Sequence, residues 1–166
     1  MAPKLLPGGD FKHGHNSCPA FSPDGTRLAY ATAGDGPGYD WIDSAIVVVE
    51  VDEAGAAVGD ELRIPVNDGL ACPKWSSDGR ALAYIPNDEL TITRLGGETT
   101  VITPPSAMGP WRDFAWSPVA DVIAAVRPTG IWLVPADGTE PTLLREAVGE
   151  FDYLSWSPDG ARLAVS

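Results

Sequence analysis

Basic residues are scarce in this chain. Eleven Lys and Arg, only three of them lysine, stand against 23 Asp and Glu, a formal net charge of -12 at pH 7. Phosphate backbones and anionic headgroups are held by clustered cations, so nucleic acid and membrane are not expected as partners. Cysteine is scarcer still: Cys18 and Cys72 are too few for a disulfide framework and fit a reducing compartment. The only two histidines, His13 and His15, lie in the first 15 residues, and no serine has glycine at both -2 and +2. Neither a nucleophile elbow nor a complete hydrolytic triad is therefore expected. Uninterrupted runs are also lacking, because 18 Gly and 16 Pro are spread so evenly that the longest stretch free of both is the 16 residues from Tyr39 to Ala54. That stretch carries Ile46-Val47-Val48-Val49, a β-branched run. Long helices, coiled coils and helical membrane spans are thereby excluded. At the N-terminus the apolar run stops after Leu5-Leu6, so no intact signal peptide is expected, and a cytoplasmic site or a periplasmic or secreted one after processing both fit.

What is present is a repeat. Phe21-Ser22-Pro23-Asp24-Gly25, Trp75-Ser76-Ser77-Asp78-Gly79, Trp116-Ser117-Pro118-Val119-Ala120 and Trp156-Ser157-Pro158-Asp159-Gly160 are copies of one unit, their aromatics 54, 41 and 40 residues apart. Seven residues after each aromatic comes Leu28, Leu82, Ile123 or Leu163, and then Ala29, Ala83, Ala124 or Ala164. An aromatic strand end, a turn in which Pro presets φ and Gly takes positive φ, and a returning strand make a hairpin. Third strands are expected at Ile46 to Val51, Leu90 to Leu95 and Gly130 to Pro135, and fourth strands near Glu61 to Pro65, Thr100 to Thr103 and Pro141 to Leu144. Four short antiparallel strands per 40 residues or so predict an all-β chain of propeller blades, three complete and a fourth partial.

The unit aromatic-Ser-Pro-Asp-Gly-x-x-Leu-Ala resembles the TolB-like (WD40-like) β-propeller repeat, which is also found in propellers of prolyl-oligopeptidase-type peptidases. The resemblance spans nearly the whole chain and implies fold rather than activity. Ser77 in place of the turn proline, and Val119-Ala120 in place of Asp-Gly, depart from the pattern, so the third turn is expected to be different or looser. The chain reads as one propeller domain or propeller fragment over 1–166, with units at about 1–20, 18–66, 70–105, 111–146 and 151–166. Pro3-Lys4-Leu5-Leu6 mirrors Pro141-Thr142-Leu143-Leu144, so the chain is expected to open on an outer strand and to close after the second strand of the fourth unit. A ring of six or seven blades needs roughly 240 to 290 residues. Self-association or a longer parent chain is favoured over a closed four-bladed ring.

Function is expected in the loops. The repeated Asp24, Asp78 and Asp159 are read as turn formers rather than catalysts, and Phe21, Trp75, Trp116 and Trp156 as wedges packed between blades. His13, His15 and Cys18 have an extended-strand ligand spacing, but no fourth ligand is evident, so no metal and no cofactor is expected. Cys72 occupies the same register as Cys18, three residues before the aromatic; both are read as small buried residues, and a disulfide between them is not expected because adjacent blades pack face to face. The connections entering each inner strand share one face with the enlarged loop from Ala31 to Ser44. His15, Asn16, Tyr39, Trp41, Trp111, Arg112, Asp113, Phe151, Asp152 and Tyr153 are the candidate binding residues there, with Trp111 and Phe151 alternatively plugging the channel. No catalytic residue is assigned. The reading is a non-catalytic protein-binding or scaffolding module whose partner is a protein or a second copy, a small molecule or glycan being possible. The alternatives are the propeller portion of a hydrolase, a lyase or glycosidase using Arg112, Asp113 and Asp152, and a carbohydrate-binding propeller.

Overall fold

The computed structural model describes residues 15–33, 44–66, 71–102, 109–146, 151 and 153–166, and among them every regular element is a strand. The chain divides into two compact units, Met1–Pro73 and Lys74–Ser166. In the first, β1 (His15–Phe21), β2 (Arg27–Ala33), β3 (Ala45–Val51) and β4 (Ala57–Pro65) form one antiparallel meander in the order β1-β2-β3-β4. The second contains two more such sheets, β5 (Lys74–Trp75), β6 (Ala81–Tyr84), β7 (Leu90–Arg94) and β8 (Thr99–Ile102), then β9 (Asp113–Trp116), β10 (Val122–Arg127), β11 (Gly130–Pro135) and β12 (Thr142–Glu146). A two-stranded sheet of β13 (Leu154–Trp156) and β14 (Leu163–Val165) follows. Three complete four-stranded sheets and a partial fourth are the inventory the repeat predicts. The expected third strand Gly130 to Pro135 coincides with β11, whereas β4 starts at Ala57, four residues earlier than expected.

Each complete turn is built by its own tetrapeptide. The Ser22 carbonyl accepts the Gly25 N–H at 2.8 Å, and Gly25 sits at φ 73°, a left-handed conformation open to glycine. Because that carbonyl is occupied, the N–H of Arg27 turns instead to the Ser22 hydroxyl oxygen at 3.0 Å, and the hydroxyl donates to Asp24 Oδ1 at 2.6 Å. The same arrangement recurs at Ser76 and Ser157. Serine is thus the hinge of the motif, a role the sequence reading gave to Pro, Asp and Gly alone. Residues 118 to 121 make only bends, and the Ser117 hydroxyl receives the Val119 N–H at 3.4 Å, so the third turn is looser as expected.

Strand burial follows the period of two. In β10, Ile123 and Ala125 join Leu90, Ile92, Phe114 and Trp116 in one cluster, while Ala124 and Val126 join Ile131 and Leu154 in another, so this strand is apolar on both faces. Outer strand β12 is exposed throughout.

Two expectations need correction. Cys18 and Cys72 form a disulfide, with Cα atoms 5.2 Å apart, and neither is a small core residue: Cys18 is half-buried and Cys72 exposed. The expectation assumed a regular β1, but the strand slips register between Ser17 and Ala20, and Cys18 adopts φ 54° there. Such a bulge re-aims a side chain out of the ladder. The bonded Cys18 is also removed from the His-x-His-x-x-Cys ligand set; His13 lies outside the described residues. Second, Phe21 is 48% exposed, unlike the buried Trp75 and Trp116 and the half-buried Trp156. The expected opening strand at residues 3–6 lies outside the described residues.

Candidate functional site

Inner strands of the second unit converge on Asp113. This aspartate opens β9 three residues before Trp116, and its two oxygens are both used: Oδ1 accepts the Lys74 ammonium at 2.8 Å, and Oδ2 accepts the Leu154 N–H at 2.8 Å. Lys74 also donates to the Phe114 carbonyl and lies 4.5 Å from the centre of the Phe114 ring. One carboxylate therefore fastens β5 and β13 to β9. The wedge below it does the same, for the Trp156 indole N–H donates to the Ala115 carbonyl at 3.0 Å.

Trp111 belongs to the core of the third sheet. It is 2% exposed, its indole N–H donates to the Ile102 carbonyl at 3.2 Å, and the Arg127 guanidinium stacks 3.7 Å from its ring centre. Arg127 stands equally close to burial at 2% exposed, with Trp132 at 4.7 Å on a second side, and burial pushes its pKa below the usual range. The candidate binding role of Trp111 is thus corrected: its ring is occupied by a buried cation and presents nothing to a partner. Burial could not be read from the loop sequence Pro110-Trp111-Arg112-Asp113, since exposed and buried Trp look alike there.

The remaining candidates separate. Tyr153 is 72% exposed, and its main chain is fixed by reciprocal bonds with Ser166 at 3.4 and 3.3 Å. Arg112 is exposed, its N–H donating to the Val126 carbonyl at 2.9 Å, and Phe151 is half-buried against the Ala124, Val126 and Leu154 cluster. In the first unit Asn16 is exposed, and His15 begins β1. Tyr39, Trp41 and Asp152 lie outside the described residues.

An open cleft of about 420 Å³ lies elsewhere, lined by Lys74, Trp75, Trp116, Pro118, Trp156 and Pro158 among others. Its prolines belong to the turns, so it opens toward the end of the inner strands opposite Arg112 and Tyr153. It contains none of the predicted residues. The turn carboxylates are no more available for acid chemistry. The Ser22 hydroxyl, with the Thr26 N–H and hydroxyl, pulls the Asp24 carboxyl down to about 2, and the Ser76 and Ser157 hydroxyls lower Asp78 and Asp159 likewise. Such groups are ionised acceptors at neutral pH, unsuited to donating a proton. Among the described residues no three His, Cys, Asp or Glu cluster as metal ligands.

No known sequence family profile matches the chain, and no curated protein matches it by sequence. Solved structures do. A TolB candidate from Agrobacterium tumefaciens superposes with TM-score 0.66 at 20% identity over 93% of this chain and 60% of its own. The dihydro-heme d1 dehydrogenase NirN in complex with DHE gives 0.65 at 18% identity, over 93% of this chain and 32% of its own. A puromycin hydrolase mutant complexed with PGG gives 0.60 at 19%, over 86% of this chain and 23% of its own. This chain spans less than two thirds of each of those chains, and at such identities the likeness is one of fold. Three four-stranded antiparallel meanders with a partial fourth, the serine-hinged turns and these superpositions together show a fold of β-propeller blades, similar to that of the TolB candidate.

Proposed function

We propose that the chain is a non-catalytic protein-binding module, its recognition surface centred on Tyr153 and Arg112 in the Lys74–Ser166 unit. The observation that carries this reading is the use made of Asp113. Each Asp113 oxygen already holds a neighbouring strand, Oδ1 the Lys74 ammonium and Oδ2 the Leu154 N–H, and the side chain is only 19% exposed, which favours a fastening role over one facing substrate. Around it the unit presents an exposed Tyr on a tethered backbone and an exposed Arg, residue types enriched among the hot spots of protein interfaces. Arg112 and Tyr153 stand one and zero residues from the Asp113 register on neighbouring sheets, at the same end of their strands. A hydrolase reading draws on the likeness to puromycin hydrolase, and there too it would be the binding part that this chain supplies.

Affinity capture from the native lysate tests this, followed by titration of the captured protein. Tyr153→Ala is expected to weaken binding by about 2 kcal/mol, roughly thirtyfold, while Asp159→Ala, in a turn at the opposite end of the strands, should leave it unchanged. Loss of binding in Asp159→Ala alone, or turnover of a peptide or glycan panel by the wild-type chain, would overturn the reading.

A further inference from the structure

Within β1, Ser17 to Pro19 stand in a locally unfavourable state. Cys18 adopts φ 54°, in left-handed backbone. Among the described residues only two other non-glycines take positive φ, Asn87 and Asp88, residue types enriched in that region as cysteine is not. Cys18 also precedes Pro19, and a residue before proline is driven toward extended backbone. Cys72 precedes Pro73 in the same register and is not among the positive-φ residues, so the dipeptide does not itself dictate the conformation. Around Cys18 the ladder advances three residues on β1, from Ser17 to Ala20, against two on β2, from Ala31 to Ala29. The Ser17 hydroxyl is closed off from solvent there without a hydrogen-bond partner. In the third sheet β9 and β10 pair with no slip, from Trp116 with Ile123 to Asp113 with Val126.

What holds this state is the bond between Cys18 and Cys72, whose Cα atoms are 5.2 Å apart. Its two ends differ. Cys72 is exposed and lies outside any strand, whereas Cys18 is half-buried within β1. The pair lies wholly inside the Met1–Pro73 unit and encloses β2, β3 and β4 between its ends.

We propose that Cys18–Cys72 is a thiol–disulfide exchange site, opened by a dithiol reductant, and that its opening releases the His15–Ser17 end of β1 from β2. A thiolate of the reductant attacks the exposed Cys72 sulfur, the S–S bond breaks, and Cys18 leaves as a thiolate. The second thiol of the reductant then displaces Cys72 from the mixed disulfide. Two electrons pass to the chain, the reductant closes as its own disulfide, and the two protons it loses end on Cys18 and Cys72. Freed, Cys18 returns to the extended backbone that Pro19 favours. Three extended residues on β1 overreach the two on β2 that face them, so the ladder can no longer be met on both sides of the bulge. Pairing of His15, Asn16 and Ser17 with Ala33, Thr32 and Ala31 is then lost. A bulge sets the face taken by every residue beyond it, so this bond governs how His15 and Asn16 are presented. The site is distinct from Arg112 and Tyr153, and the proposal stands independently of the partner reading above.

Hydrogen exchange read by mass spectrometry on the full chain, poised in mixtures of reduced and oxidised dithiothreitol, tests it. The free thiols should pass from none to two in a single step. Exchange over residues 15–18 should rise roughly tenfold or more on reduction and recover on reoxidation, while exchange across β9 and β10 stays as it was. Two variants, each made with Cys72→Ser so that no lone thiol remains, separate release of the backbone from loss of the bond. Cys18→Ser keeps a Cβ in the left-handed position and should exchange like the reduced protein in every buffer. Cys18→Gly lacks the bond too, but glycine holds positive φ freely, so it should keep the bulge and exchange about threefold more slowly than Cys18→Ser. Thiols that stay free in the oxidised buffer overturn the proposal, as does unchanged exchange over residues 15–18 on reduction. Exchange that rises equally over all four strands of the sheet, or that is equal in the two variants, marks a plain structural crosslink and overturns it as well.

Discussion

Trp111→Ala is expected to cost the Lys74–Ser166 unit about 3–5 kcal/mol, the range for emptying a buried Trp site. Three losses combine at this position. The ring is 2% exposed within the cluster that joins the second and third sheets, its N–H satisfies the Ile102 carbonyl, and its face shields the Arg127 guanidinium at 3.7 Å. Removing the ring leaves a cavity, an unpaired carbonyl and a buried cation with one aromatic face fewer. Trp111→Phe keeps a ring over Arg127 and forfeits the N–H, so its loss should be smaller by roughly half. Urea denaturation followed by Trp fluorescence and circular dichroism separates the two. If Trp111 served a partner instead, alanine would leave the midpoint almost unmoved.

Gly130→Ala should be nearly as damaging, about 3 kcal/mol or more, because two penalties coincide. Gly130 opens β11 at φ 147°, a region closed to residues with a Cβ, and a Cβ built there lies 2.2 Å from the carbonyl oxygen of Arg145 on β12. The obstacle is backbone, so relief means moving a strand. Gly25 isolates the first penalty from the second: it has φ 73° and nothing within 4 Å of its Cβ position. Gly25→Ala is accordingly expected to cost only about 1 kcal/mol. Equal shifts in the two denaturation midpoints would show that the β11–β12 approach is looser than described.

These positions also show what a single sequence can convey. The hairpins were legible because their chemistry is local: Ser, Asp and Gly within six residues make every bond of the turn, and strands follow from what the turn joins. β11 could be placed to the residue for the same reason, preceded by Pro128-Thr129 and ending on Pro135. The site was less legible because the fates of Trp111, Asp113 and Cys18 are decided by residues 9 to 54 positions away. Nothing adjacent to Asp113 announces Lys74 or Leu154, and nothing near Cys18 announces the bulge that brings it to Cys72. What the alignment of the four copies did hold was a common register: three residues before each aromatic stand Cys18, Cys72, Asp113 and Tyr153. Two are joined by a disulfide, the third fastens neighbouring inner strands, and the fourth is the exposed Tyr. Read as a column rather than one at a time, that position carries a covalent or hydrogen-bonded fastening in three of the four copies.

The central claim is that the residues resembling catalytic machinery hold the blades together, and the stability of Asp113→Asn tests it most directly. An amide in place of the carboxylate lacks the charge that pairs with the Lys74 ammonium and offers one acceptor oxygen where two are used, so the variant should lose about 1–2 kcal/mol in urea denaturation. The loss should vanish in a Lys74→Met background for the share owed to that pair. An active-site carboxylate behaves in the opposite sense, since relieving a site selected for function leaves stability unchanged or raises it. A midpoint for Asp113→Asn equal to or above that of the wild type would contradict the account.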